Sequence, residues 1–152
     1  MAKRFYFRLA PVLKIREAKK KDAQRLLGKR MGELRLLQDR MQSLKQAQSD
    51  AFGQRRVQQG QPVDLDMWRS IERFLAAVER KIEETNVEIS KAEALVDEAR
   101  KALTKAHRDH LTLERLRERR KEQYDLEVSR EEQRQADELA MLRHQFKALE
   151  VS

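Results

Sequence analysis

The sequence predicts an all-α fold: a long antiparallel two-helix coiled-coil hairpin with a C-terminal helical overhang. Three observations predict it. Residues 63–152 contain neither Pro nor Gly, and a breaker-free run of that length reads as one continuous helix. Along this run apolar residues recur in alternating steps of three and four, the coiled-coil period. A single breaker-rich stretch, Gly53–Pro62, separates it from a shorter helical pattern. Two helical arms joined by a short connection fold back antiparallel.

The elements follow in chain order. Pro11 stands just inside the start of the first arm, where its missing N–H costs little. This arm is expected over about residues 11–52. Leu13, Ala23, Leu27, Leu34, Leu37, Met41, Leu44 and Ala51 keep one heptad frame, while Arg16, Lys20, Arg30 and Gln48 interrupt it. The interruptions predict a looser seam, or one that waits for another partner. The loop is expected over about 53–64, with Asp64 as helix cap and Asp66 as negative charge in the first turn of the second arm.

The second arm is expected over about 65–148. Its seam reads Trp68, Ile71, Leu75, Val78, Ile82, Thr85, Ile89, Ala92, Val96, Ala99, Leu103, Ala106, His110 and Leu113, with Thr85 and His110 as the polar exceptions. A sustained 3.5-residue repeat implies left-handed supercoiling. If Phe52 lies opposite Leu65, Val12 lies opposite roughly residue 105, and the last ~40 residues overhang as a single helix. The whole reads as one coiled-coil domain over residues 1–152, monomeric because the hairpin satisfies its own seam.

Composition narrows the function. The 152 residues carry 34 Lys+Arg and 26 Asp+Glu, a net charge of +8, with aromatics at only 5%. Mean hydropathy is −0.88. Few large apolar side chains remain to build a thick core or an enclosed pocket. The absence of Cys excludes disulfides, thiolate metal sites and a Cys nucleophile. No run of about 18 apolar residues exists to span a membrane. The basic start lacks a long apolar stretch and a small-residue cleavage site, which argues against a secretory signal. Charge is uneven: residues 1–62 hold 16 Lys+Arg against 5 Asp+Glu, and residues 63–152 hold 18 against 21. The basic arm suits its own acidic partner arm, an acidic protein, nucleic acid or anionic lipid.

Chemical motifs are absent or weak. Gly28-Lys29 lacks the spacing and the preceding strand of a phosphate-binding loop. Gly28 and Gly32 lie one turn apart, either as tolerated weak points or as a bare strip for a close-packing partner. His107 and His110 sit at i, i+3 beside Asp109 and cannot close a metal site alone. Glu83/Glu84 and Glu131/Glu132 have no pocket to shift their pKa values. The expectation is no enzyme, no cofactor and no small-molecule substrate. Lys19-Lys20-Lys21 and the run Arg115–Lys121 are threaded by acidic residues and lack stacking aromatics, which argues against nucleic acid. Trp68 is expected to plug the closed end. Phe74, Tyr124 and Phe146 fall off the seam and read as partner contacts.

The two ends carry less generic patterns. The start reads Phe5-x-Phe7-x-Leu9-x-Pro11-x-Leu13-x-x-Arg16-Glu17. The end reads Tyr124-x-x-Glu127-x-x-Arg130-x-Glu132-Gln133-x-x-x-Asp137-Glu138-x-Ala140. Together with the hairpin this resembles the flagellar FliJ family of the type III protein-export apparatus. The YscO-type stalk proteins of virulence secretion systems look similar. The resemblance implies a non-enzymatic cytoplasmic stalk, similar to the two-helix stalk of a rotary ATPase, with a role in flagellum biogenesis and hence motility and chemotaxis. Its implied partners are the export ATPase hexamer, the cytoplasmic domain of the export-gate membrane protein and export chaperones, with membrane association only through those partners. The matching terminal residues Phe7, Leu13, Arg16, Arg130, Gln133, Asp137 and Glu138 would contact the ATPase. Leu44 and Phe74 match a gate-binding strip whose first-arm aromatics appear here as Ala47 and Ala51. A basic coiled coil that binds nucleic acid or an anionic surface is the alternative from another class.

Overall fold

In the computed structural model of the chain the described residues are 4–60, 62 and 64–151. Two long helices pack against each other as an antiparallel hairpin, α1 (Ala10–Gln58) and α2 (Leu65–Val151), and no strand occurs among the described residues. The chain divides into two compact units, Met1–Lys19 with Ala106–Ser152, and Lys20–Lys105.

The unit of residues 20–105 contains the closed end. α1 runs six residues past the expected stop, through Gly53 to Gln58. A glycine inside a helix costs only about 1 kcal/mol, and the neighbouring seam residues Ala51 and Arg55 hold the turn in place by packing on α2. The helix ends in tightened i→i−3 bonds, Gln59 N–H to the Arg56 carbonyl and Gly60 N–H to the Val57 carbonyl. Gln61 and Val63 of the expected loop lie outside the described residues. Asp64 caps α2 as its residue type requires: its Oδ1 accepts from the N–H of Asp66 at 3.1 Å and of Met67 at 3.3 Å.

The longer α1 moves the register. Arg55 bonds Glu72 at 3.0 Å and Arg40 lies 3.7 Å from Glu88. The pairing assumed from the sequence would have set Arg40 near residue 77 instead. On α2 every expected seam position, from Trp68 to Leu113, is buried or half-buried. On α1 the seam runs straight through the four interruptions: Arg16, Lys20, Arg30 and Gln48 are all half-buried. Long polar side chains can lay their stems along an apolar seam and keep their heads in water. Ala51, Ile71 and Leu75 form the buried cluster nearest the turn.

The unit of residues 1–19 and 106–152 contains both ends of the described chain. Before α1, residues 4–9 form a non-helical strap closed by the Ala10 N–H to Phe7 carbonyl bond. Phe7 is only 4% exposed. The Phe5 and Tyr124 rings sit 5.6 Å apart, and the Arg120 guanidinium lies 5.8 Å from the Phe7 ring. The strap therefore covers α2 as far as Tyr124. The overhang is correspondingly shorter than expected: the uninterrupted exposed stretch begins at Ser129. Tyr124 is an internal contact rather than a free aromatic.

Candidate partner-binding surfaces

Three surfaces carry the residues singled out from the sequence. The first is the closed end. The Arg55 guanidinium lies 5.6 Å from the ring centroids of both Phe52 and Trp68 while its Nη1 bonds Glu72. Trp68 is half-buried beneath it, consistent with a plug. Gln58, Gln59, Asp64, Leu65 and Trp68 line a shallow cleft of about 330 Å³ beside this clasp.

The second is the flank of the seam. Phe74 is 48% exposed, as its off-seam position requires. With Ala47, Asp50, Ala51, Gln54, Ser70 and Ile71 it lines an open groove of about 370 Å³. Ala47 and Ala51, which stand where the family strip carries aromatics, line it with small side chains. Leu44 is half-buried on α1.

The third is the unit formed by the two ends. Leu13 and Arg16 are half-buried on α1, and Arg16 Nη1 donates to the Asp109 carbonyl at 2.9 Å. Phe7, Leu13 and Arg16 thus all serve the internal packing of this unit. Arg130, Gln133, Asp137 and Glu138 are all exposed, and the Gln133 amide donates to Asp137 Oδ1 at 3.2 Å. Spacing by three and four sets Arg130, Gln133 and Asp137 on one helical stripe. Leu139, Leu142 and Phe146 form a second stripe, and Phe146 is 66% exposed. Sequence reasoning picked out Phe146 but missed the two leucines; the 3–4 spacing that found the inner seam would have found them too.

Other candidates are plainly placed. His107 is exposed, and His110 Nδ1 lies 3.8 Å from Glu114 Oε2. Among the described residues no group of His, Asp and Glu is arranged for a metal ion, and no helix is long and apolar enough to cross a membrane. Gly28 and Gly32 are exposed, and a Cβ at either would meet nothing within 4 Å.

Two long helices packed as an antiparallel hairpin, with an exposed helical extension, define a coiled-coil protein. The chain belongs to the flagellar FliJ protein family, whose model matches residues 5–148, and so is a type III export-related stalk protein. Its fold is similar to a putative YscO homologue from Chlamydia trachomatis, at 22% identity over 94% of this chain and 97% of that one, with a TM-score of 0.52. That likeness concerns the fold alone. No curated protein matches the chain at a significant level.

Proposed function

We propose that the protein is the non-enzymatic coupling stalk of a flagellar type III export apparatus. It binds the export ATPase hexamer through its two ends, the export gate through the Phe74 flank, and export chaperones. It works in the cytoplasm and reaches the inner membrane only through these partners. The observation that carries this reading is the joining of both signature-bearing ends in one compact unit. The strap residues Phe5 and Phe7 meet Tyr124 and Arg120 there, and the exposed stripe of Arg130, Gln133 and Asp137 follows on the same helix.

The division of labour follows from burial. Phe7, Leu13 and Arg16 hold the strap and the first turns of α1 on α2. Arg130, Gln133, Asp137 and Glu138 offer charge and amide groups to the ATPase. Coupling of this kind is mechanical or allosteric, because a stalk shifts the ATPase only by binding one of its states better than another. Mixing the purified chain with the export ATPase should increase both hexamer formation and ATP hydrolysis. No change in either at low ionic strength would overturn the proposal.

A further inference from the structure

The strap before α1 has two sides, and only one is used in the hairpin. From Arg4 to Leu9 exposure alternates residue by residue: Arg4, Tyr6 and Arg8 are exposed, while Phe5, Phe7 and Leu9 are buried or half-buried. Over residues 4–7 that is the pattern of an extended chain on a surface, with successive side chains pointing to opposite sides; Arg8 and Leu9 stand in the turn that leads into α1. The inner side is anchored by Phe5 on Tyr124 and Phe7 under Arg120. The outer side shows a cation, an aromatic and a cation in a row. Tyr6 is 82% exposed, although the chain has only two tyrosines and one tryptophan.

Two further features belong to this edge. Among the described residues, the strap before its turn uses one backbone group in a main-chain hydrogen bond, the Phe7 carbonyl. Arg117, Arg120 and Lys121 share a face of α2 by spacing, and Arg120 and Tyr124 place that face against the strap. Glu118 and Glu122 are interleaved and exposed.

We propose that the outer edge of the strap, Arg4–Tyr6–Arg8, is a docking edge for an extended acidic segment of a partner protein. Because Arg8 stands in the turn, Arg4 and Arg8 are closer than the roughly 14 Å that four extended residues reach, and their long side chains can meet two carboxylates that flank one apolar residue on a peptide. Tyr6 between them takes an apolar side chain at the intervening position, and tyrosine and arginine are the residue types that anchor such contacts. Glu118 and Glu122 repel phosphates and carboxylates alike, so what favours a peptide is Tyr6, which meets an apolar side chain set between two acidic ones. Arg4, Tyr6 and Arg8 are separate from Arg130, Gln133, Asp137 and Glu138, the exposed residues that the ATPase reading assigns to the ATPase.

The test uses the full chain and a fluorescein-labelled twelve-residue peptide carrying two Glu-Ser-Phe-Ser-Glu units, read by fluorescence anisotropy. The wild-type chain should bind it, and a peptide with Lys in place of Glu should not bind. The double variant Arg4→Glu/Arg8→Glu should weaken binding at least tenfold, and Tyr6→Ala several-fold. Circular dichroism should find wild-type helicity in each, because Phe5 and Phe7 are intact. Nitrogen-15 shifts should concentrate at residues 4–9. Binding insensitive to the double variant, no binding at millimolar peptide, or tighter binding to duplex DNA or phosphatidylglycerol vesicles than to the peptide would each overturn the proposal.

Discussion

Thr85 is the one polar residue buried in the seam among the described residues, at 4% exposure. Its hydroxyl donates to the Lys81 carbonyl one turn back at 2.6 Å. Thr104 and Thr112 do the same with Arg100 and Arg108. The buried hydroxyl therefore specifies no cross-helix partner, and back-bonding of this kind slightly disfavours a helix. Thr85→Val should hold or raise stability, by up to about 1 kcal/mol, because both the polar group and its need for a partner disappear. A thermal melt followed by circular dichroism checks this; a fall of several degrees would mean that the hydroxyl bonds across the seam. Arg55 is the contrasting case. It joins two rings and one carboxylate at the closed end, and Arg55→Ala should cost about 1–2 kcal/mol from two exposed cation–π contacts and one surface ion pair. A melting temperature unchanged by that substitution would show the clasp to be ornamental.

At the scale of the helix, the exposed glycines separate local cost from tertiary need. Gly28, Gly32 and Gly53 lie inside α1, and a Cβ on any of them meets nothing within 4 Å. Gly→Ala at each should stabilise by about 0.5–1 kcal/mol through backbone entropy alone. Asp64→Ala should destabilise by about 1 kcal/mol, because the N–H groups of Asp66 and Met67 lose their acceptor. Denaturant titration of the single variants tests both signs. The same elements explain what could be read from the sequence. The seam of α2 was legible throughout, because a long apolar period leaves one face that can be buried. Asp64 was legible because its short carboxylate reaches the orphan N–H groups of a first turn. The end of α1 was not: Gly53 looked like a stop, but breaker identity weighs little against a seam that continues through Arg55 to Gln58. The strap was not legible as a strap either, since its short apolar alternation has no helical period. With the register and the strap unread, Tyr124 fell to the overhang and the burial of Phe7 was not foreseen. The flank residue Phe74 came out as expected, because an off-frame aromatic on a helix has nowhere to hide.

For the whole molecule, internal satisfaction of the seam sets the expected state in solution. A chain whose α2 seam from Trp68 to Leu113 is covered by its own first helix needs no second copy. Light scattering should report a mass near 18.1 kDa. The residues beyond Ser129 differ, being exposed without exception among those described. Exposed apolar side chains such as Leu139, Leu142 and Phe146 carry a hydration cost that the hairpin does nothing to relieve. A chain ending at Ser129 retains Tyr124 for Phe5, Arg120 for Phe7 and the Asp109 carbonyl for Arg16. Its melting temperature should therefore stay within a few degrees of the full chain, because the described residues from Ser129 onward bury nothing against the hairpin. Its effect on the export ATPase should vanish, since Arg130, Gln133, Asp137 and Glu138 are gone. Its affinity for the acidic peptide should stay the same, since Arg4, Tyr6 and Arg8 remain on an anchored strap. Three readouts on one variant thus separate three roles. Collapse of the melting temperature would make the overhang part of the fold, and undiminished ATPase stimulation would move the ATPase contact off the overhang.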